Sequence, residues 1–220
     1  MKVAITGASG LIGSSIIREI GANFDFTEID LPNTDASDFE QLKKATVGAD
    51  ALIHLAWKDL IPNVSANTRD PINITMAKNA YEVCVANGIS RVIIGSSNQA
   101  HGYSVRDSDG LIRVGLPDQP ENEYGKEKLE IEAMGRHYAR DHGLGVVCLR
   151  IGNVNMEDAP KPTTDGRPQR WLSQRDLGRI VSSALVTDTI NDDCQIIYGV
   201  SNGTVYDWSN QIGYTPLDHA

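Results

Sequence analysis

Three features of this 220-residue chain predict an α/β fold with a doubly wound parallel sheet. Apolar runs of strand length alternate with segments of helical period. Several of those runs are almost continuously apolar, as strands covered on both faces must be. A glycine-rich turn joins the first run directly to the first helical segment. Alternation of this kind favours right-handed crossovers that place helices on both sides of one sheet.

Taken in order, Lys2–Thr6 reads as a buried strand and Leu11–Ile20 as an amphipathic helix. Phe24–Ile29 is the second strand, Phe39–Ala45 a short helix and Ala51–Leu55 the third strand. Ile72–Ala86 is helical and stops at Gly88, a residue suited to the left-handed cap. Arg91–Gly95 is a β-branched strand, Asn122–His142 the longest helical pattern, stopped by Gly143, and Gly145–Ile151 a further strand. Beyond Ile151, Pro160, Pro162, Gly166 and Pro168 mark irregular chain. A helix at Ser173–Val186 and a strand at Gln195–Gly199 follow. The expected organisation is a single domain over 1–220, with a nucleotide-binding core at 1–151 and a small C-terminal substrate-side cap making up most of 152–220.

Hydrophobic residues make up 40% and charged residues 22%, values of an ordinary globular protein. The net charge of −9 excludes nucleic acid as a main partner, because phosphate backbones need a basic face. No run approaches the ~18 apolar residues of a membrane span, and the apolar run at the N-terminus is too short for a signal peptide. Cys84, Cys148 and Cys194 form no CxxC pair, so free thiols in a reducing cytoplasm are expected. No His, Asp and Glu arrangement has metal-ligand spacing, and no metal is expected.

Thr6-Gly7-Ala8-Ser9-Gly10-Leu11-Ile12-Gly13 places GxxGxxG between the first strand and the first helix. Glycines there let the backbone turn tightly and approach a pyrophosphate, while the helix N-terminus points free N–H groups at the charge. In this strand–turn–helix context the pattern predicts a Rossmann-type dinucleotide site with Gly7, Ser9, Gly10, Leu11, Ile12 and Gly13 around the cofactor. Asp30, ending the second strand, can accept hydrogen bonds from both adenosine ribose hydroxyls and repels a 2′-phosphate, which favours NAD over NADP. Its alternative is to cap the next turn. The stretch from Asp30 to Phe39 is short, making Asp35 and Ala36 the next candidates near the adenine.

Glu123-Tyr124-Gly125-Lys126-Glu127-Lys128 contains YxxxK, which puts Tyr124 and Lys128 on one helix face a single turn apart. An ammonium beside the phenol is expected to lower its pKa, so that the tyrosinate can take a proton from a substrate hydroxyl while hydride departs. Lys128 could also hold a cofactor ribose hydroxyl. Ser97 follows the Arg91–Gly95 strand at the ligand-binding end of the sheet and could hold the reacting oxygen; Ser96 is the alternative. His54 reads as a satisfied buried histidine. Trp171 and Trp208 either line a pocket or pack in the core. No histidine is placed to activate a serine, so a hydrolase triad is absent.

The pieces TGASGLIG (6–13), Asp30, HLAW (54–57), SSNQAHG (96–102), EYGKEK (123–128) and RIGN (150–153) resemble the extended short-chain dehydrogenase/reductase family, also called NAD-dependent epimerase/dehydratase. Within it, SSN at 96–98, RIGN, WLSQRDLG at 171–178 and YGVSNGT at 198–204 are most similar to uronate dehydrogenases and haloarchaeal NAD-dependent glucose-6-phosphate dehydrogenases. The resemblance implies NAD-dependent oxidation of a cyclic monosaccharide at its anomeric carbon to a lactone. It implies catalytic Ser97, Tyr124 and Lys128, and cofactor contacts from Leu55, Ala56, Trp57 and Ile151 besides the glycine turn. Ser97, Asn98, Gln99, Asn153 and either Arg167 or Arg170 would face the sugar. Gln99 stands where the uronate dehydrogenase pattern has histidine, with His101 close by. A nucleotide-sugar epimerase or dehydratase that retains NAD, and a non-catalytic NAD-sensing protein, are the competing functions. The sequence leaves the oligomeric state open: the resemblance allows a homodimer or higher homo-oligomer through the apolar face of Ile72–Ala86 or Leu129–Tyr138, and core packing explains both faces equally well.

Overall fold

The computed structural model describes residues 1–163, 166–190 and 193–220. Its centre is a six-stranded, all-parallel sheet in the order β2-β1-β3-β4-β5-β6. The strands are β1 (Lys2–Thr6), β2 (Asp25–Ile29), β3 (Ala51–His54), β4 (Arg91–Ser97), β5 (Gly145–Ile151) and β6 (Cys194–Gly199). Helix α1 (Leu11–Ile20) and α6 (Gln174–Val186) cover one face, around Val3, Ile5, Ile53, Ile93, Val147 and Ile197. On the other face α2 (Phe39–Ala45), α4 (Pro71–Asn87) and α5 (Glu123–His142) enclose Leu52, Val92, Ile94, Val146 and Tyr81. Buried on both sides, β4 and β5 need the continuous apolar runs seen in the sequence.

Helix ends are set by local chemistry. Asp70 caps α4 through Ile72 N–H (3.1 Å), Pro71 opens it, and Gly88 at φ +69° closes it. Asn122 accepts from Gly125 N–H (2.8 Å) and so fixes the first turn of α5, where Tyr124 lies. Ser173 caps α6 in the same way through Asp176 N–H (2.9 Å).

Two differences from the sequence reading bear on the site. Residues 174–199, grouped there with the substrate-side cap, supply α6 and the sixth strand of the main sheet, because β6 pairs with β5 from Val146 to Ile151 and α6 packs against α1. A short helix not expected from the sequence, α3 (Leu60–Ala66), follows β3; it is bounded by Asp59 and Asn67, both with positive φ, and buries none of its residues. The sheet also stops at β2. The usual doubly wound order carries one more strand outside it, whereas here the chain passes by a short turn from Ile29 to α2. Asp25, Thr27 and Glu28 are consequently exposed along that edge.

Candidate active site

The order of strands reverses between β1 and β3, and a crevice opens there at their C-terminal ends. Gly7, at φ +70°, turns the chain out of β1 so close to the next strand end that a Cβ would lie 2.8 Å from Ala56 N. A Cβ on Gly13 would collide with the Gly7 carbonyl and sit 2.8 Å from Ala8 Cα. Both glycines are demanded by the backbone, which leaves the N-terminus of α1 open toward the crevice.

Two cavities share Gly7, Gly10, Leu55 and Trp57 as common walls. The first, about 550 Å³, is lined by Ser9, Asp30, Asp35, Ala36 and Ala56, and by Thr34, Ser37, Ile72 and Met76, which the sequence reading did not name. Asp30 accepts from Ser9 N–H (2.9 Å), Ser9 Oγ (2.6 Å) and Leu31 N–H (3.1 Å). Partial burial pushes its carboxyl pKa up, but those hydrogen bonds outweigh it and hold the group below its ordinary value. It therefore presents a charged acceptor at the cavity wall.

The second cavity, about 740 Å³, is lined by Leu11, Ile12, Gly13, Ser97, Asn98, Gln99, Tyr124, Lys128, Ile151, Asn153 and Arg170. α3 adds Leu60, Ile61 and Val64 as an apolar wall. Of the catalytic, cofactor and sugar-facing candidates named from the sequence, Arg167 lies on neither wall; it stacks 4.9 Å from the Tyr103 ring and faces Glu121. Arg170 stacks on the same ring at 5.9 Å and does reach the cavity. Gln99 accepts from Asn122 Nδ2 (2.7 Å) and is thereby tied to the cap of α5. His101 takes no part, being buried between Asp118 (3.1 Å) and Val105 O (3.1 Å). Trp171 is buried and Trp208 packs on a satellite cluster, so neither lines these cavities.

The two adjacent serines separate cleanly. Ser96 donates to Glu132 (2.6 Å), which holds Arg150 through two further bonds of 2.9 and 2.8 Å. Ser97 instead faces the Tyr124 hydroxyl, where its influence lowers the phenol's pKa. Lys128 lies one turn beyond, donating to Gly95 O (2.7 Å), with its ammonium 3.4 Å from the centre of the Trp57 ring and 5.4 Å from that of Tyr124.

The expected acidification of the phenol is not found in this arrangement. Burial pushes the Tyr124 pKa up to about 12, and Ser97 offsets only part of that. Lys128 faces the Gly95 carbonyl and an indole rather than the phenolic oxygen. Its own pKa is pulled down to about 7 by burial, against the opposing charges of Glu127 and Glu132. Deeper still, His54 is hydrogen-bonded to Thr6 Oγ1 (2.8 Å) and held down to about 3 by burial and by Lys128, so it stays neutral.

A glycine turn at the reversal point of a parallel sheet, opening on a cleft with an acidic residue at one end, is the build of the short-chain dehydrogenase/reductase class. More narrowly, the family model for the NAD dependent epimerase/dehydratase family matches residues 3–188, and the chain belongs to that family. It is 29% identical to the NAD-dependent glucose-6-phosphate dehydrogenase of Haloferax volcanii, covering 99% of this chain and 94% of that protein. It is 27% identical to the L-arabinose 1-dehydrogenase (NAD(P)(+)) of the same organism, over 100% of this chain and 97% of the relative. Among solved structures, a mutated uronate dehydrogenase matches with a TM-score of 0.77 at 25% identity, over 99% of this chain and 82% of that one.

Proposed function

We propose that this protein oxidises a monosaccharide or monosaccharide derivative at C1 with NAD, giving the lactone. The observation that carries the reading is the placement of Ser97, Tyr124 and Lys128 on a cavity that shares walls with the glycine-turn cavity. The steric demand at Gly7 and Gly13 and the charged Asp30 fit a dinucleotide, with pyrophosphate at the N-terminus of α1 and ribose at Asp30. NAD, when bound, supplies the hydride acceptor.

The remaining work falls to the chain. Ser97 holds the C1 oxygen in place. Tyr124 takes the proton from the C1 hydroxyl as the C1–H bond yields its electron pair and the carbonyl forms. With the phenol held at about 12, the competent phenolate is scarce at neutral pH. Activity therefore rises with pH until the reacting complex lowers that value. Lys128 is the group able to lower it, because leaving Gly95 O and the indole for the side of the phenolic oxygen gives its costly buried charge an anionic partner. Asn153 and Arg170 line the substrate end and set which sugar is accepted.

The relatives carry sugar phosphate, neutral pentose and uronate in their names, and the three differ in the charge they would present to Arg170. The test is NADH absorbance at 340 nm with purified protein, NAD, and glucose 6-phosphate, L-arabinose, galacturonate or glucuronate in turn. A rise with one of them supports the reading. NAD that stays bound through gel filtration, with no net NADH from any sugar, overturns it.

A further inference from the structure

Behind the cavity, two tyrosines from the C-terminal part of the chain pack at a tilt with ring centroids 5.1 Å apart: Tyr198 on β6 and Tyr206 beyond it. Both are buried, and each reaches toward one of the adjacent serines. Tyr198 accepts from Arg150 (3.1 Å), which pairs with Glu132, the partner of Ser96. Tyr206 accepts from Asn98 Nδ2 (3.2 Å), while the other end of that amide, Oδ1, faces Ser97 Oγ at 3.4 Å.

We propose that Tyr206 is a positioning residue, fixing through Asn98 the hydroxyl of Ser97 that faces Tyr124. The role extends the dehydrogenase reading and rests on it. Ser97 has a single proton to give. With Tyr124 as phenol, that proton turns to Asn98 Oδ1; with Tyr124 as phenolate, it turns to the phenolic oxygen. The exchange requires the carbonyl end of the amide, not its NH2, to face Ser97. Tyr206 sets this by occupying the NH2 end. Asn98 is 4% exposed, so water is a poor and poorly oriented substitute for the tyrosine oxygen. Tyr206 itself is held by its neighbours on the chain: Ile112 donates to Val205 O (2.8 Å), Asp207 donates to Ile112 O (2.9 Å), and Arg113 pairs with both Asp107 and Asp207. Asn98 also belongs to the short 3-10 turn 98–100 that Ser97 caps through Gln99 N–H (3.2 Å), so movement of the amide is passed to the serine.

Tyr206→Phe keeps the ring in its cluster and removes only the hydroxyl, with folding checked by melting temperature. The expected result is about a tenfold fall in kcat, an unchanged KM for NAD, and an acid limb of the kcat profile moved to higher pH. Tyr206→Phe added to Asn98→Ala should cost nothing beyond Asn98→Ala alone. Wild-type kcat and pH profile in Tyr206→Phe, or full additivity of the two changes, overturns the proposal. A structural role alone would shift the melting temperature and leave the pH profile in place. The carboxamide ¹⁵N–¹H signals of Asn98 provide an arm independent of turnover. They should exchange slowly with solvent in the wild type and lose protection in Tyr206→Phe; unchanged protection overturns the contact. If no sugar yields NADH even with the wild type, the dehydrogenase reading falls, and the NMR arm still decides whether Tyr206 holds Asn98.

Discussion

The two halves of the cleft are built by different means. Around Gly7, Gly13 and Asp30 the backbone itself is the binding device: a turn, a helix end and one carboxylate, all within the first β-α-β unit. Around Ser97 and Tyr124 the device is a set of side chains brought from β4, α5, the loop after β5 and the tail beyond β6. The first half is governed by steric rules that act over a few residues. The second is governed by hydrogen bonds between residues far apart in the chain. The first should therefore fail through shape and the second through chemistry.

The largest expected effect lies on the chemical side. Tyr124→Phe should lower kcat by ~10³-fold while NAD affinity by calorimetry changes little; a loss of NAD binding instead would erase the contrast between the halves. On the shape side, Gly13→Ala forces a methyl into the Gly7 carbonyl and should weaken NAD binding by ~10²-fold, or about 2.7 kcal/mol, in the same calorimetric titration.

Lys128 sharpens the comparison by separating function from stability. Lys128→Met should lower kcat by ~10²-fold yet stabilise the fold by about 2 kcal/mol at pH 7, measured by urea unfolding, because it removes a buried ammonium. The sign follows from the pKa. In the folded protein Lys128 titrates near 7, below its ordinary 10.5, so between those values the unfolded chain holds more protons. Wild-type stability should then rise with pH across that window, and the variant should lack that contribution. The smallest effect belongs to Asp30→Ala, which should cost about tenfold in NAD affinity and narrow the preference over NADP. An Asp30→Ala protein with unaltered affinity for both would leave the residue only its bonds to Ser9 and Leu31.

What the sequence disclosed follows the same division. Most strand and helix identities, the stops at Gly88 and Gly143, and the glycine turn are consequences of local chemistry and were readable from it. The membership of β6 in the main sheet was not, since pairing with β5 is decided by tertiary packing. α3 escaped because LIPNVSA is only seven residues long, lacks a side-chain cap and carries an internal proline. The serine that faces Tyr124 could be chosen over its neighbour only by resemblance; in the structure Glu132 decides it by taking Ser96. Tyr206 carried no local signal, since its partner lies across the fold. The expected low phenol pKa rested on helix spacing, which fixes where Lys128 starts but not where its ammonium points.

The missing outer strand leaves β2 with one row of backbone N–H and C=O groups unpaired, a template on which another chain could grow. Asp25 and Glu28 stand along that border, and in a second copy aligned edge to edge they would meet their own like charges. Those two carboxylates thus oppose edge-to-edge growth, and replacing both in Asp25→Asn with Glu28→Gln should turn a well-behaved solution cloudy while the fold itself stays intact.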